Sequence, residues 1–529
     1  MRKILLTLWL LSSVLCCLQA QDDIAVLPGE QYVLRNVATG TYLKKDGTTT
    51  ADEREADNWR VVTNDTIRFD SPEQLYFIHS DEIIMQMTYS SFAWKATFSP
   101  EANTTYVMPS ETTPRSFKFR YRYMASTRYL NVEVDEEGKE RLTAAHTSSP
   151  WNDWEFVPTS HPKDYRYRLM KMNRSDKDTK YNIAYLSHDP SGNEVWLSGW
   201  MAVPTASEGG ECIANHVLLS AHYTMCKSSE LPTEDDPFDA YSFKWSSDKP
   251  LMVEPDYLGC GISSDYDQPY CVPDIMAEEC VDMLFVAHDL VRDLHQMDCT
   301  TLQLPTYGMG TSSGGSVILA CQRYVETSPN LTEEQRQTVN WVRTSACAGC
   351  YNPLATFSNG FVVDKLSVPS VIPLLIMGMV VSYPDIFGDT KAEDYFSEAF
   401  LEAGIIERIR SHAYKSLEVA DYMAETCGSR MSDILSPEAL DLNSDLSQKL
   451  LKALGLSNVG RYWSPKADIV IYYHPNDDVV PYLNVVSLAN ELQDKCQGNF
   501  ELRKTTLGPS HVTSCVEFFI KMFFGKYKE

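Results

Sequence analysis

The 529-residue chain contains no uninterrupted apolar run of the length that a membrane span needs, and no cluster of basic residues. A bilayer-crossing helix takes about 20 apolar residues. The run from Ile4 to Leu15 is shorter, and prolines interrupt the stretch from Val368 to Val381. Asp and Glu total 72 against 46 Lys and Arg, and a formal charge of −26 repels nucleic acid and anionic membranes. We therefore expect neither a nucleic-acid partner nor a membrane span.

Cysteine is absent from residues 21–158. Apart from Cys16 and Cys17, every cysteine lies between Cys212 and Cys515. The pair in Cys347-Ala-Gly-Cys350 could be a redox dithiol or half of a zinc site. Because no second CxxC pair and no histidine at ligand spacing accompany it, we favour buried thiols or structural disulfides and expect no metal site.

The N-terminus has the three parts of a secretory signal. Arg2 and Lys3 precede an apolar run, which closes on Leu18-Gln-Ala20 before polar residues. This pattern predicts a cleavable signal peptide over residues 1–20 and a secreted or periplasmic mature protein, in which disulfides can form. Lipidation at Cys16 or Cys17 is the alternative, although neither follows the small residue that lipidation favours.

Residues 21–158 consist of short alternating runs broken by turn residues, which is typical of an all-β domain. Trp59, Trp94 and Trp154 stand in what we interpret as the closing strands of three imperfect units. Three such units resemble a ricin-type β-trefoil. That family ends each repeat on Gln-x-Trp, whereas this chain has Asp57-Asn-Trp59 and Asn152-Asp-Trp154. The resemblance implies a β-trefoil-like domain with glycan as a candidate partner, and a structural or docking role is the alternative.

Residues 161–529 alternate apolar strands with helical runs, the pattern of a mostly parallel α/β sheet. We predict a helix from Ile275 to Leu294, and strands at 195–204, 215–220, 304–308, 339–345, 467–473 and 500–506. Residues 350–465 are predicted to form a helical insertion. Its apolar segment, Ile372 to Val381, could be a lid over an acyl pocket or an ordinary core helix.

A G-x-S-x-G pattern lies between a predicted strand and helix, in Gly308-Met-Gly310-Thr-Ser312-Ser-Gly314. A nucleophile elbow needs glycines two residues before and after the serine, because its sharp turn leaves no room for side chains there. Gly310 and Gly314 bracket Ser312, whereas Ser313 has no such bracket. The pattern predicts Ser312 as a nucleophile.

A serine hydroxyl needs an imidazole base, and the base needs a carboxylate that orients it. In the nucleophile-elbow fold the chain order is serine, acid, histidine, and His511 is the one histidine after the candidate acids. The acid is expected in His474-Pro-Asn-Asp477-Asp478-Val-Val-Pro, where Asp477 fits the D-x-x-V-P spacing and Asp478 is the alternative. A simple Asx turn would account for one aspartate and leave the other free.

Two backbone amides must stabilise the oxyanion that forms during acyl transfer. Ser313 follows the nucleophile at a helix N-terminus and supplies one. The second is expected in Leu219-Ser-Ala-His222-Tyr223-Thr224, and we choose Thr224 over Tyr223. His222 and His474 are expected to be structural or to line the pocket.

The C-terminal two thirds resemble the secreted lipase and carbohydrate-esterase branch of the α/β-hydrolases. The resemblance rests on the three catalytic segments together with Leu197-Ser-Gly-Trp-Met-Ala-Val-Pro, Glu254-Pro-Asp-Tyr-Leu-Gly-Cys-Gly and Pro269-Tyr. It implies an acyl ester substrate, hydrolysis through Ser312, Asp477 and His511, and no cofactor. The leading hypothesis is an exported esterase of acylated carbohydrate. A lipase, a serine peptidase and a glycan-binding protein with an inactive hydrolase domain are the alternatives.

Overall fold

The computed structural model describes residues 24–26, 31–52, 55–62, 67–68, 73–79, 84–90, 93–99, 105–110, 112–113, 116–123, 126–135, 138–158, 167–174, 177–206, 211–234, 249–295, 297 and 303–529. The predicted signal peptide lies outside the described residues. The chain divides into two compact units, Met1–Met172 with Tyr181–Ile183, and Asn173–Lys180 with Ala184–Glu529.

The first unit is a β-structure whose recorded strand pairings are antiparallel. A two-stranded sheet joins β1 to β6, and the larger sheet has the order β13-β12-β11-β10-β7-β5-β2-β3-β4. In it β14 pairs with β11 and β2, and β8 pairs with β7 and β9. The threefold trefoil arrangement stays a prediction. The strands are β1 Ile24–Val26, β2 Gln31–Asn36, β3 Tyr42–Leu43, β4 Thr49–Thr50, β5 Trp59–Val62, β6 Ile67–Arg68, β7 Glu73–His79, β8 Ile84–Ser90, β9 Ala93–Ser99, β10 Thr105–Pro109, β11 Phe117–Tyr123, β12 Ser126–Val134, β13 Glu140–Ala145 and β14 Trp154–Pro158.

Two of the three predicted tryptophans form the core of this unit. Trp59 and Trp154 are both fully buried, and they belong to one apolar cluster with Phe119 and Leu130. The indole nitrogen of Trp154 donates a hydrogen bond to the carbonyl of Leu130 at 3.2 Å, so the polar atom of this buried ring is satisfied. The side chain of Trp94 lies outside the described residues.

The triplet Asn152-Asp153-Trp154, which stands where the ricin-type repeat has Gln-x-Trp, contains a buried charge. The ammonium of Lys118 pairs with the Asp153 carboxylate, and both side chains are almost completely buried. Asn152 accepts a further hydrogen bond from the Lys118 ammonium at 2.9 Å. Burial raises the pKa of Asp153, but hydrogen bonds from Lys118, Ser110 and Thr112 outweigh it and lower the pKa. The triplet therefore has a structural role here, because an unpaired charge at this depth would be strongly destabilising.

A nine-stranded mixed sheet has the order β15-β16-β17-β19-β18-β20-β21-β22-β23, and its strands β17 to β23 belong to the second unit. β17 and β19 are antiparallel, and each neighbouring pair from β19 to β23 is parallel. Each predicted strand has a counterpart, and β15, β16 and β19 complete the sheet. The strands are β15 Tyr167–Arg174, β16 Asp178–His188, β17 Glu194–Pro204, β18 His216–Ala221, β19 Pro250–Pro255, β20 Thr306–Thr311, β21 Trp341–Cys347, β22 Asp468–Tyr473 and β23 Phe500–Lys504.

Helices follow the parallel strands, and a run of short helices separates β21 from β22. No helix in the described part of the chain is both long and apolar enough to span a membrane. The helices are α1 Pro273–His295, α2 Ser313–Thr327, α3 Glu333–Val339, α4 Pro353–Asn359, α5 Val371–Ser382, α6 Pro384–Phe387, α7 Glu398–Glu402, α8 Ile405–Arg410, α9 Ser416–Thr426, α10 Met431–Ile434, α11 Pro437–Leu440, α12 Asp445–Leu456, α13 Leu483–Leu492 and α14 His511–Phe523.

The apolar helix α5 lies inside the core of this helical region. Ile372, Leu375 and Met379 are at most 1% exposed, and they pack in one cluster with side chains of α7, α8, α9 and α12. A Cβ atom on Gly378 would lie 2.5 Å from the backbone of Tyr270. The backbone of α5 therefore packs directly against the segment that contains Tyr270. In this structure α5 has the environment of a core helix, and a lid stays a proposal.

Candidate functional site

The predicted nucleophile stands on a strained turn between β20 and α2. Ser312 has φ 54° and ψ −127°, a backbone conformation that L-residues rarely adopt. A Cβ atom on Gly310 would collide with the carbonyl of Gly314, and one on Gly314 would collide with the carbonyl of Ala221. Both glycines are therefore required for the steric reason that the sequence pattern suggested, and the serine is left partly exposed.

The structure brings Ser312, His511 and Asp477 together in one hydrogen-bonded line. Nε2 of His511 lies 2.9 Å from Oγ of Ser312. Its Nδ1 lies 2.9 Å from one carboxylate oxygen of Asp477 and 3.1 Å from the other. Because a carboxylate only accepts hydrogen bonds, Nδ1 carries the proton and Nε2 is free to take one from the serine.

The two neighbouring aspartates have different roles. Oδ1 of Asp477 accepts the backbone N–H groups of Val479 and Val480, at 3.0 and 2.8 Å. Asp477 thus both makes the Asx turn and orients His511. Our expectation that the turn would occupy one aspartate and leave the other free is therefore wrong. Oδ1 of Asp478 accepts the backbone N–H of His511 at 2.9 Å, which fixes the main chain of the base instead of its ring.

The loop that carries His511 is held by a residue that the sequence analysis missed. His511 opens α14, and the hydroxyl of Ser510 caps this helix by accepting the N–H of Thr513 at 3.2 Å. From the next turn of the helix, Glu517 accepts the backbone N–H of Leu507 at 2.6 Å. The loop before α14 is therefore held by hydrogen bonds at Leu507 and at Ser510. No local sequence pattern predicts this role for Glu517.

The protonated form of His511 is stabilised electrostatically. Burial lowers the pKa of His511, whereas the hydrogen bond to Asp477 and the nearby Cys515 thiol raise it, and the net direction is upward. The side chains of Asp477 and His511 are only 3% and 11% exposed, so water screens their interaction little. The imidazolium that forms when Ser312 gives up its proton is thereby stabilised.

The two residues predicted to supply the oxyanion amides lie next to each other. The hydroxyl of Thr224 donates to Oγ of Ser313 at 3.3 Å. Across the part of the chain that the structure describes, neither backbone amide donates a hydrogen bond to another residue. Two unused N–H groups beside a nucleophile are what a developing oxyanion requires. Tyr223, the alternative, has a side chain that is 39% exposed.

A second tyrosine, Tyr270, contacts the loop that carries Thr224, which we call the oxyanion loop. The sequence analysis cited Pro269-Tyr only as part of the family resemblance and did not predict this contact. Its hydroxyl lies 2.6 Å from that of Thr224. Tyr270 is 4% exposed, and its backbone supports α5 through Gly378. Thr224 is thus fixed from a different loop of the chain, so only the tertiary structure reveals the contact.

The two remaining histidines near the site are structural. His222 is 3% exposed, stacks on Tyr257 with ring centroids 4.0 Å apart, and makes a 2.6 Å hydrogen bond with the carbonyl of Tyr223. Burial lowers its pKa to about 4, so it is neutral near pH 7. Nδ1 of His474 accepts the backbone N–H of Asn476 at 3.1 Å within the acid loop.

One group of described residues could hold a metal ion. The ligand atoms of His188, Glu278 and Asp282 all lie within 4.8 Å of one another. Nδ1 of His188 is 3.2 Å from the Glu278 carboxylate, so a partly exposed hydrogen bond between β16 and α1 accounts for the arrangement without an ion. None of the three belongs to the hydrogen-bonded line through Ser312.

Comparisons with known proteins find similarity at the level of the fold. No family model matches the chain, and no curated protein matches it significantly. Among solved structures, a putative hydrolase from Legionella pneumophila aligns with a TM-score of 0.53 and 18% identity, over 68% of this chain and 90% of that one. The rice cell wall degrading esterase LipA from Xanthomonas oryzae gives the same score and identity, over 68% of this chain and 99% of that one. The chain therefore contains an α/β-hydrolase fold in about two thirds of its length.

Proposed function

We propose that this chain is an exported serine esterase that hydrolyses carboxylic esters of acylated carbohydrate through an acyl-enzyme. The observation that carries the proposal is the hydrogen-bonded line from Ser312 through His511 to Asp477. The line begins at a nucleophile elbow and ends at a buried acid. The two oxyanion amides supply the remaining component that acyl transfer needs.

The hydrogen bonds between Ser312, His511 and Asp477 support a mechanism that begins with proton transfer to His511. Nε2 of His511 takes the proton of Ser312 as its oxygen attacks the ester carbonyl carbon, and the amides of Ser313 and Thr224 stabilise the oxyanion. The imidazolium then gives the proton to the departing alkoxide, which leaves as an alcohol. Water, deprotonated by His511, attacks the acyl-serine and releases the acid.

The carbohydrate part of the proposal has separate support. LipA, which shares the fold, is described as degrading rice cell wall. In the first unit, an open groove of about 470 Å³ is lined by Asn131, Glu133, Arg141 and Trp151. Trp151 is 43% exposed, and an exposed aromatic ring beside amide and charged groups suits the apolar face and hydroxyls of a sugar. We propose that this groove binds glycan.

A fluorophosphonate probe on the mature protein tests the catalytic proposal. We expect covalent labelling of wild type and of Ser358→Ala, an exposed serine on α4, but none of Ser312→Ala or His511→Ala. With p-nitrophenyl esters, fastest turnover of acetate supports a carbohydrate esterase. Preference for long acyl chains would instead identify a lipase, and activity on amides alone a peptidase. A folded wild type that is not labelled contradicts the proposal.

Binding to acetylated xylan tests the groove independently of catalysis. The gels contain the polysaccharide, and the protein carries Ser312→Ala so that it cannot hydrolyse it. We expect the additional substitution Trp151→Ala to abolish the retardation of this protein. Tyr462→Ala removes a ring that is 90% exposed in the second unit and serves as the matched control. Equal retardation of both variants contradicts a glycan site at Trp151. Export is tested by N-terminal sequencing of the secreted protein, which should begin at Gln21.

A further inference from the structure

The two thiols of Cys347-Ala-Gly-Cys350 face different partners. The Cys347 and Cys515 side chains pack in one apolar cluster, the sulfur of Cys347 lies 3.5 Å from the carbonyl oxygen of Ser514, and burial together with the neighbouring Cys515 thiol raises the pKa of Cys347. The Cys350 and Cys271 side chains belong to a second apolar cluster, and burial together with the neighbouring Cys350 thiol raises the pKa of Cys271. All four are free thiols in the structure. The motif therefore supplies one sulfur to each of two separate pairs.

Each partner lies beside a component of the candidate site. Cys515 follows His511 by one helical turn, and its sulfur is 3.9 Å from Nε2. Cys271 directly follows Tyr270, whose hydroxyl holds Thr224. The carbonyl of Cys347 itself accepts the N–H of Ser312. The end of β21 is thus in contact with the nucleophile, with the helix of the base and with the loop that supports the oxyanion residue.

We propose that Cys347 and Cys350 form two disulfides, with Cys515 and Cys271 respectively, and that these bonds position the base and the oxyanion loop of the mature protein. In each reaction two S–H bonds break and one S–S bond forms. The two electrons and two protons pass to an oxidising disulfide, such as oxidised glutathione or a protein thiol oxidase, which becomes two thiols. Export to an oxidising compartment, predicted from the N-terminus, would supply such an oxidant.

The Cys347–Cys515 bond also has an electrostatic consequence for the base. His511 is faced by Asp477 and Asp478 from the loop after β22, by Cys515 from its own helix and by Cys350 from the end of β21. The Cys515 thiol raises the pKa of His511. A disulfide sulfur cannot ionise, so oxidation removes this contribution and leaves the base unprotonated at lower pH. Reduction should therefore move the acidic limb of the activity profile to higher pH.

Peptide mapping tests the pairing without reference to activity. Mature protein is purified from the periplasm of an expression host without reductant, denatured, alkylated with N-ethylmaleimide and digested with trypsin. Cys347 and Cys350 fall in one peptide, residues 344–365, and Cys515 in another, residues 505–521. We expect both sulfurs of the first peptide to escape alkylation in wild type. Cys515→Ala should expose Cys347 alone, and Cys271→Ala should expose Cys350 alone.

Two mapping results would overturn the pairing. One is alkylation of all four thiols in the protein from the oxidising compartment. The other is a bond between Cys347 and Cys350, which would leave both sulfurs protected in both alanine variants. Cys427→Ala, which removes a partly exposed thiol in the helical region, is the matched control and should map like wild type.

Labelling kinetics test the positioning role, and this arm rests on the proposed hydrolase function. We expect native reduction with a phosphine to slow fluorophosphonate labelling by about 10-fold, since small displacements of catalytic groups are costly. The acidic limb should shift to higher pH in reduced wild type and reduced Cys427→Ala, but not in reduced Cys515→Ala. Unchanged rates and profiles in a protein with both bonds mapped would overturn the positioning role. If oxidised wild type does not react at all, the hydrolase proposal fails, whereas the mapping still decides the pairing.

Discussion

The two neighbouring aspartates offer the sharpest test of the candidate site, because Asp477→Asn and Asp478→Asn are chemically identical changes one residue apart. Asp477 uses Oδ1 for two backbone N–H groups, and Oδ2 is the nearer of its two oxygens to Nδ1 of His511, at 2.9 Å against 3.1 Å. An asparagine must keep its oxygen on the two N–H groups, because its NH₂ group cannot accept them. Its NH₂ group would then face Nδ1 of His511.

This orientation reverses the tautomer of the base. Nδ1 would accept a hydrogen bond from the asparagine, so the ring proton would move to Nε2 and point at Ser312. A ring protonated on Nε2 cannot take the serine proton, and the carboxylate that stabilises the imidazolium is lost as well. Substitutions of this kind lower kcat by about 10⁴-fold, which corresponds to roughly 5.4 kcal/mol of transition-state stabilisation.

Asp478→Asn should behave differently, because the amide oxygen can still accept the backbone N–H of His511. Replacing a charged acceptor with a neutral one weakens that bond by about 1 kcal/mol, so we expect a decrease in kcat of about 5-fold at most. The assay is kcat for p-nitrophenyl acetate, with circular dichroism melting to verify folding. A folded Asp477→Asn variant with more than about a tenth of wild-type kcat, or a larger loss in Asp478→Asn, would refute the assignment.

Three further predictions concern the elbow, the core and the oxyanion loop. Gly314→Ala should lower the free energy of unfolding in urea by about 3 kcal/mol, because the new Cβ atom would collide with the backbone carbonyl at the end of β18. Gly455→Ala is the control. Gly455 lies on α12 with open space around it, so this substitution should raise the free energy of unfolding slightly. Burial raises the pKa of the Glu279 carboxyl to about 8. Protonation of this side chain therefore contributes to the stability of the fold, and that contribution is lost as the pH rises from about 4.5 to 8. Glu279→Gln should therefore unfold at higher urea than wild type at pH 8 and similarly at pH 4.5. Tyr270→Phe should lower kcat by about 10-fold with little change in KM, and an unchanged kcat would show that the hydroxyl does not position the oxyanion loop.

The components of the site that sequence predicted were identified either by a local constraint or by their order along the chain. Gly310 and Gly314 bracket Ser312 because the elbow turn itself leaves no room for side chains. His511 was identified by chain order, and the acid loop by the buried strand before it. Between Asp477 and Asp478, only a spacing preference favoured the residue that contacts the imidazole.

The supporting contacts could not be predicted, because they join residues that no sequence motif links. The Tyr270 hydroxyl meets that of Thr224 across 46 positions, and Asp478 accepts the backbone N–H of His511 across 33. Glu517 and Cys515 lie on α14 at positions where the sequence alone suggests only a helix after the base. Their roles depend on the exact path of the loop before the helix and of β21 beside it. The sequence favoured buried thiols or structural disulfides for the CxxC cysteines but could not name their neighbours, because Cys515 and Cys271 lie far from Cys347 and Cys350 in the chain.

The sequence also left the apolar segment around α5 undecided between a lid and a core helix, and the magnitude of its burial favours the core helix. Ile372, Leu375, Ile376 and Met379 are at most 1% exposed. Exposing each would cost about 1.5–3 kcal/mol, so moving α5 into water would cost on the order of 10 kcal/mol, comparable to the whole stability of a domain. A lid movement of α5 into water would therefore have to offset that cost. The side chain of Val362, in the same helical insertion, is already 83% exposed, so its contact with an acyl chain would not carry that cost.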